Sequence, residues 1–200
     1  MSITIRTANK DDTGLIAETI YSAGPDVYDY LYGDKAVDFI SFEFLSGKGF
    51  AGYNNVTVAV ENNEVVATGC FYGLENFEKL IHGTIENTLQ FFDKEADQVL
   101  KRLATTAEVV KPPAIDEMYL SNFGVVASMQ GQGVGSQLIE YELSQAKQEG
   151  LKVFGLDVSA NNPRAQALYE RLGLVVTSET QFPVVDSGVS NSRKMEMHLK

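Results

Sequence analysis

The residues Gln130-Gly131-Gln132-Gly133-Val134-Gly135 carry the strongest chemical signal in this 200-residue chain. Three glycines permit positive φ and expose successive backbone amides, and the helix expected to follow adds unpaired N–H groups and the positive end of its dipole. That combination makes a socket for a phosphate or pyrophosphate. Spacing narrows the motif. A dinucleotide fingerprint G-x-G-x-x-G counted from Gly131 would need glycine where Ser136 stands, and the strand ahead of it lies deep in the chain. A nucleoside-triphosphate loop needs Gly-Lys-Ser/Thr, and this turn has no lysine. About 30 residues downstream comes a second run, Asn162-Pro163-Arg164-Ala165-Gln166-Ala167-Leu168-Tyr169-Glu170-Arg171-Leu172-Gly173.

Together the two runs resemble the GNAT superfamily of acyl-CoA-dependent N-acetyltransferases. Its signature of Gln or Arg followed by x-x-Gly-x-Gly/Ala matches Gln130, Gly133 and Gly135; its apolar strand matches Phe123 and Val125; its Asn-x-x-Ala-x-x-Leu-Tyr-x-x-x-Gly matches Asn162, Ala165, Leu168, Tyr169 and Gly173. The similarity covers roughly residues 117–175. Ser128 stands where proline is common and Leu174 where an aromatic residue is common, and neither change removes a chemical group.

The resemblance implies a fold, a cofactor and roles. The fold is a single α/β domain over residues 1–200, with a mixed, centrally splayed β-sheet flanked by helices. A helical insertion at about 74–110 precedes the cofactor-binding strand. The co-substrate is acetyl-CoA, with no metal. A bulge in the strand Phe123–Val126, made cheap by Gly124, would free backbone groups for the pantetheine arm. Phe123 and Val125 would flank that arm. The amides of Gln130, Gly131, Gln132, Gly133, Val134, Gly135 and Ser136 would hold the pyrophosphate, and Asn162 would cap the next helix and touch the cofactor. Tyr169 corresponds to the general acid that protonates the departing thiolate, a transfer feasible for a phenol of pKa near 10. Glu117 is the candidate base, with Asp157 as the weaker alternative. Each has an ordinary structural alternative: a packing tyrosine, a helix cap, a solvated strand-end carboxylate. A non-catalytic acyl-CoA sensor, a protein N-acetyltransferase and a nucleotide-binding protein are the rival readings.

Charge bears on the partner. Sixteen basic and 27 acidic side chains give a net charge of −11, which lacks the positive field that nucleic acid requires. Residues 130–200 hold seven Lys/Arg and eight Asp/Glu, so the first 129 residues carry almost all of the excess. Asp26, Asp29, Asp34 and Asp38 interleave there with Tyr28, Tyr30, Tyr32 and Phe39, a mixture suited to an ammonium group. The same residues also fit a solvated acidic helix face; on the first reading, the primary amine that the resemblance implies as acceptor is a cationic small molecule. The single cysteine, Cys70, lies in an apolar segment and reads as a small core residue. With no disulfide pair, no apolar leader after Met1 and no run of ~20 apolar residues, a cytoplasmic protein without a membrane span is expected, with a homodimer possible through the insertion.

The elements that must position these residues follow from periodicity. Ile3 and Ile5 mark a strand; Asp11 or Asp12 should cap a helix ending at Gly24-Pro25; one helix is expected over Val27–Leu45. Val56–Val60 and Val65–Gly69 read as a hairpin around Asn62-Asn63. Residues 74–110 read as one or two helices broken near Gly83, ended by Pro112-Pro113. Then come a strand at 118–127, a helix ending at Gly150, a strand at 153–159, a helix at 163–172 and strands near 174–180 and 194–200. Asp186–Ser192 reads as a mobile loop.

Overall fold

The computed structural model of the chain describes residues 3–12 and 15–200. Its strands are β1 (Thr4–Thr7), β2 (Val56–Glu61), β3 (Glu64–Tyr72), β4 (Glu117–Val125), β5 (Val153–Ser159), β6 (Val175–Thr180) and β7 (Ser192–His198). Its helices are α1 (Ile16–Tyr21), α2 (Pro25–Tyr32), α3 (Ala36–Ser46), α4 (Leu74–Phe92), α5 (Ala96–Thr106), α6 (Val134–Gln148) and α7 (Pro163–Arg171). The strands form one open mixed sheet in the order β1-β2-β3-β4-β5-β7-β6. Among the described residues only β4 and β5 run parallel, which requires a crossover, and α6 provides it.

Alternation along the central strands sends apolar side chains to both faces. On one face Ile139, Leu143 and Ala146 of α6 meet Met118, Leu120, Phe154 and Leu156, while Val134 and Leu138 meet Ala59, Val66 and Ala67. On the other, Ile16, Ala17 and Ile20 of α1 and Ile40 and Phe44 of α3 cover Val56, Val58 and Cys70. Burial pushes the Cys70 thiol up to about 12, so it behaves as a small hydrophobe. The residues 74–106 bury Phe92, Ala96 and Val99 against Leu31, Tyr32, Ala36 and Phe39. Among the described residues no helix is long and apolar enough to cross a membrane.

Several local expectations change. The hairpin turn holds, with Asn62 and Asn63 at φ 51° and 66°, as a two-residue type I′ turn requires. Asp12 does not cap α1: it accepts hydrogen bonds from Arg6 at 2.5 and 2.7 Å and from the Asn9 amide, which ties the start of the chain together instead. The helix expected over Val27–Leu45 is two, because Gly33 takes φ 61° and a short 3₁₀ turn over residues 33–35 redirects the chain. That turn brings the Tyr32 ring within 4.4 Å of the Phe39 ring. In the other direction, α4 runs unbroken through Gly83 and ends at Asp93, which has φ 46°. Gly83 serves close approach rather than a break, since a Cβ there would overlap the Gly49 backbone nitrogen. The loop before Ser192 is docked: the Ser190 amide donates to Asp26 Oδ2 at 2.9 Å, and the Phe182 ring meets Tyr30 edge-on at 5.1 Å.

Glu43 fastens α4 to this core. It is buried, with Oε1 accepting from Thr84 Oγ1 at 2.7 Å and Asn87 Nδ2 at 3.3 Å, and Oε2 from the Ala51 amide at 3.1 Å. Glu43→Ala strands those donors and should cost about 2–4 kcal/mol in urea unfolding. Burial raises the Glu43 carboxyl above its ordinary range, so the folded state holds its proton more tightly than the unfolded one. Its stabilising contribution is complete below that range and is lost as pH rises through the raised folded-state value. As pH rises above the ordinary carboxylate range wild type should therefore lose stability relative to Glu43→Gln, and parallel curves for the two proteins would contradict this.

Candidate active site

β4 and β5 pair at few levels, from Glu117↔Val153 to Leu120↔Leu156. Beyond them β4 continues to Val125 against β3 alone, and β5 continues to Ser159 against β7 alone. A wedge thus opens at the centre of the sheet, and the chain turns into α6 at its wide end. Gly131 and Gly133 there have φ of 79° and 81°, left-handed values that favour glycine. Gly135 is needed for a different reason: a Cβ would stand 2.8 Å from Phe123 Cζ and 3.2 Å from Val125 Cγ2.

Among the described residues the amides of Gly131, Gly133, Val134, Gly135 and Ser136 have no backbone acceptor, and the first turn of α6 carries no carboxylate. Together they form an anion cradle. The Gln130 and Gln132 amides instead close turns on Ala127 and Met129, so they drop out of the amide run expected from Gln130 to Ser136. Their side chains brace the cradle. Gln130 Nε2 donates to the Val125 carbonyl at 3.0 Å, its Oε1 accepts from Arg164 Nη1 at 2.7 Å, and Gln132 Nε2 donates to the Ser128 carbonyl at 2.8 Å. Arg164, which no motif singled out, adds a cation beside the turn. Asn162 caps α7 as expected, its Oδ1 accepting from the Ala165 amide at 3.0 Å with Pro163 in the first turn.

The bulge in β4 sits one turn of pleat earlier than Gly124. Thr68 pairs with Gly124 and Cys70 with Ser121, so Asn122 and Phe123 together face Gly69, and Asn122 takes φ 53°. Gly124 has no such angle; it is glycine because a Cβ would run into the Thr19 carbonyl of α1. Phe123 and Tyr169 lie side by side, ring centroids 6.4 Å apart. Tyr169 is buried among core residues, and burial raises its pKa, which keeps the phenol protonated. Its hydroxyl makes no hydrogen bond among the described residues.

The carboxylates lie on the opposite face. Glu117 is 4% exposed, its Oε1 paired with Lys194 Nζ at 2.5 Å and its Oε2 accepting from the Ala114 amide at 2.8 Å. Gly155 leaves room for it, since a Cβ there would overlap Glu117 Oε1. Lys194 Nζ also stands 4.6 Å over the Tyr119 ring. Tyr119 Oη donates to Asp157 Oδ2 at 2.7 Å, and Ser192 Oγ donates to Asp157 Oδ1 at 2.9 Å. Burial and the nearby Asp157 charge raise the Tyr119 phenol, so it remains the donor. Asp157 is the first β5 residue past the last β4 pair, whereas Glu117 lies at the closed end, about 13 Å back along β4 by strand rise.

The aspartates of the N-terminal part do not converge on this site. Asp26 holds the Ser190 amide, Asp29 accepts from Tyr21 Oη at 2.8 Å, and Asp34 and Asp38 are exposed. Among the described residues there is no group of three or more His, Cys, Asp or Glu side chains able to hold a metal ion.

The profile of the acetyltransferase (GNAT) family matches residues 25–174. A ribosomal protein bS18 alanine N-acetyltransferase of Escherichia coli K12 is 39% identical over 74 residues, 36% of this chain and 50% of the relative, so the chain spans about half the length of the curated relatives it matches. The fold is similar to the crystal structure of an N-acetyltransferase from Staphylococcus aureus Mu50, with TM-score 0.77, 21% identity and coverage of 97% of this chain and 100% of that one. It is also similar to an acetyltransferase from Salmonella typhimurium solved with its cofactor acetyl-CoA, with TM-score 0.57, 17% identity and coverage of 100% and 95%.

The buried ion pair generates a test of its own. Lys194→Met leaves Glu117 uncompensated in the sheet and should cost about 3 kcal/mol, whereas the double variant Lys194→Met/Glu117→Gln should recover part of that loss. Urea unfolding of the three proteins gives the comparison; equal stability of wild type and Lys194→Met would show the pair to be worth nothing.

Proposed function

We propose that this chain, which belongs to the acetyltransferase (GNAT) family, transfers the acetyl group of acetyl-CoA to a primary amine by direct attack. The observation that carries the reading is the glycine cradle at the wide end of the β4–β5 wedge, with Tyr169 beside it. The residues fit the group: the amides of Gly131, Gly133, Val134, Gly135 and Ser136 would hold the pyrophosphate with Arg164 nearby. Phe123 and Val125 would flank the pantetheine, and Asn162 would set the end of α7 on the other side. Acetyl-CoA supplies an acetyl thioester.

The chain supplies orientation and two proton sites. Tyr169 Oη holds the proton that the leaving sulfur takes up; burial raises its pKa, so it is a weaker acid there than an ordinary tyrosine. An amine attacks only as the free base, and we assign the accepting carboxylate to Asp157 rather than Glu117. Lys194 and the Ala114 amide occupy Glu117, while Asp157 stands at the open end with Tyr119 and Ser192 fixing its two oxygens. Glu117 then acts through Lys194, which lies against Tyr119.

The acceptor is a small primary amine approaching Asp157 at the open end of the wedge. The Asp26–Ser190 and Tyr30–Phe182 contacts hold residues 181–191 against α2, which favours a small acceptor over a bulky one. A second reading, acetylation of a protein's N-terminal amine, is favoured by the names of the curated relatives. The two separate in an acceptor panel followed by release of free CoA thiol. Polyamines, aminoglycosides and amino-acid derivatives should turn over; turnover confined to alanine-starting peptides supports the second reading.

Tyr169→Phe should lower kcat by roughly 10²-fold or more while acetyl-CoA still raises the melting temperature. Asp157→Asn should lower kcat by a similar factor, roughly 10²-fold, while leaving acetyl-CoA binding intact. Unchanged turnover in Tyr169→Phe would remove it as the acid.

A further inference from the structure

The side chain of Asn122 ties the cofactor strand to the acceptor side of the molecule. Asn122 is a non-glycine residue at φ 53°, at the bulge of β4. Asparagine tolerates the left-handed region better than most residues, yet the conformation persists only when its surroundings hold it. Both ends of its amide face partners. Oδ1 accepts from Tyr28 Oη at 2.8 Å, across 94 residues of sequence, and Nδ2 faces Cys70 Sγ at 3.9 Å.

Tyr28 is itself fixed. Its ring lies 6.1 Å from that of Tyr21 and 6.2 Å from that of Tyr32, and burial raises its pKa well above the ordinary tyrosine value, so it remains a donor. The bulge falls two residues past Leu120, the last β4 residue paired with β5, where β4 first presents backbone without that neighbour. Tyr28 belongs to α2, whose Asp26 and Tyr30 hold the loop before β7. One helix therefore touches both the acceptor approach and the cofactor strand.

We propose that the Tyr28–Asn122 hydrogen bond is a pin that sets the β4 bulge for acetyl-CoA, with Tyr28 a positioning residue that couples α2 to the cofactor strand. The proposal rests on the acetyltransferase reading above. Removing the bond while keeping the backbone permissive separates it from a packing role. Tyr28→Phe deletes one oxygen from a packed ring, and Asn122→Gly tolerates the positive φ without the side chain.

Calorimetric titration of acetyl-CoA into each folded protein gives the readout. Each variant should bind roughly five- to tenfold more weakly than wild type, the worth of one hydrogen bond. The double variant should be no weaker than Asn122→Gly alone, and Asn122→Asp, which still accepts from Tyr28, should bind as wild type does. Lower melting temperatures with unchanged affinity, or additive losses in the double variant, would overturn the pin. Should Asn122→Gly fail to fold, Tyr28→Phe and Asn122→Asp decide the matter. Failure of the wild-type protein to bind acetyl-CoA would overturn the underlying reading, and the pin with it.

Discussion

Only the levels from Glu117↔Val153 to Leu120↔Leu156 join β4 to β5, and the features described around the candidate site depend on where that pairing stops. Interior strands normally satisfy their backbone groups on both sides. Here β5 follows β7 along its whole length and β4 follows β3 through a bulge, so the two strands part while each keeps one partner. The side chains hold the gap open: Phe123 packs against Gly135 and beside Tyr169 on the α6 face, and Asn122 anchors the bulge toward α2. A gap of this kind in a sheet centre leaves backbone donors and acceptors that an extended polar ligand can meet.

The two faces of the wedge divide the electrostatics. The cradle face has backbone amides, Arg164 and no carboxylate in the first turn of either α6 or α7. The opposite face carries Glu117 and Asp157, kept apart in role by Lys194, which neutralises the first and leaves the second with neutral hydroxyl donors. A single lysine on β7 therefore pairs with the carboxylate at the closed end and leaves the one at the opening without a cationic partner of its own. The acidic excess, meanwhile, is spread along the first 129 residues rather than gathered at the site.

What the sequence discloses is whatever local geometry dictates. The cradle glycines, the Asn162 cap and the Asn62-Asn63 turn are each fixed by φ requirements or bonds spanning a few residues, so residue type alone announces them. The open mixed sheet follows from hydrophobic alternation and from the resemblance carried by two motifs. Lys194 and Glu117 meet across 77 residues, and nothing at either position signals the partner, because strand register decides it. Gly83 misleads for a related reason: a glycine that ends a helix and one that admits a neighbouring backbone look alike until the neighbour is known. At the bulge the conspicuous Gly124 draws attention from Asn122, whose left-handed angle asparagine does not advertise.

The outer end of the sheet carries a feature that opposes edge-to-edge strand pairing. β6 is exposed along its whole length and reads Val-Val-Thr-Ser-Glu-Thr, a β-prone sequence with a free edge that could recruit a foreign strand. Between Val176 and Ser178 its register against β7 slips, so Thr177 has no partner of its own. Glu179, bridged to Arg193 at 3.0 Å, puts a charge on the same short segment. An added strand would need a regular row of donors and acceptors, and the slip interrupts that row midway; the irregularity caps the sheet at seven strands.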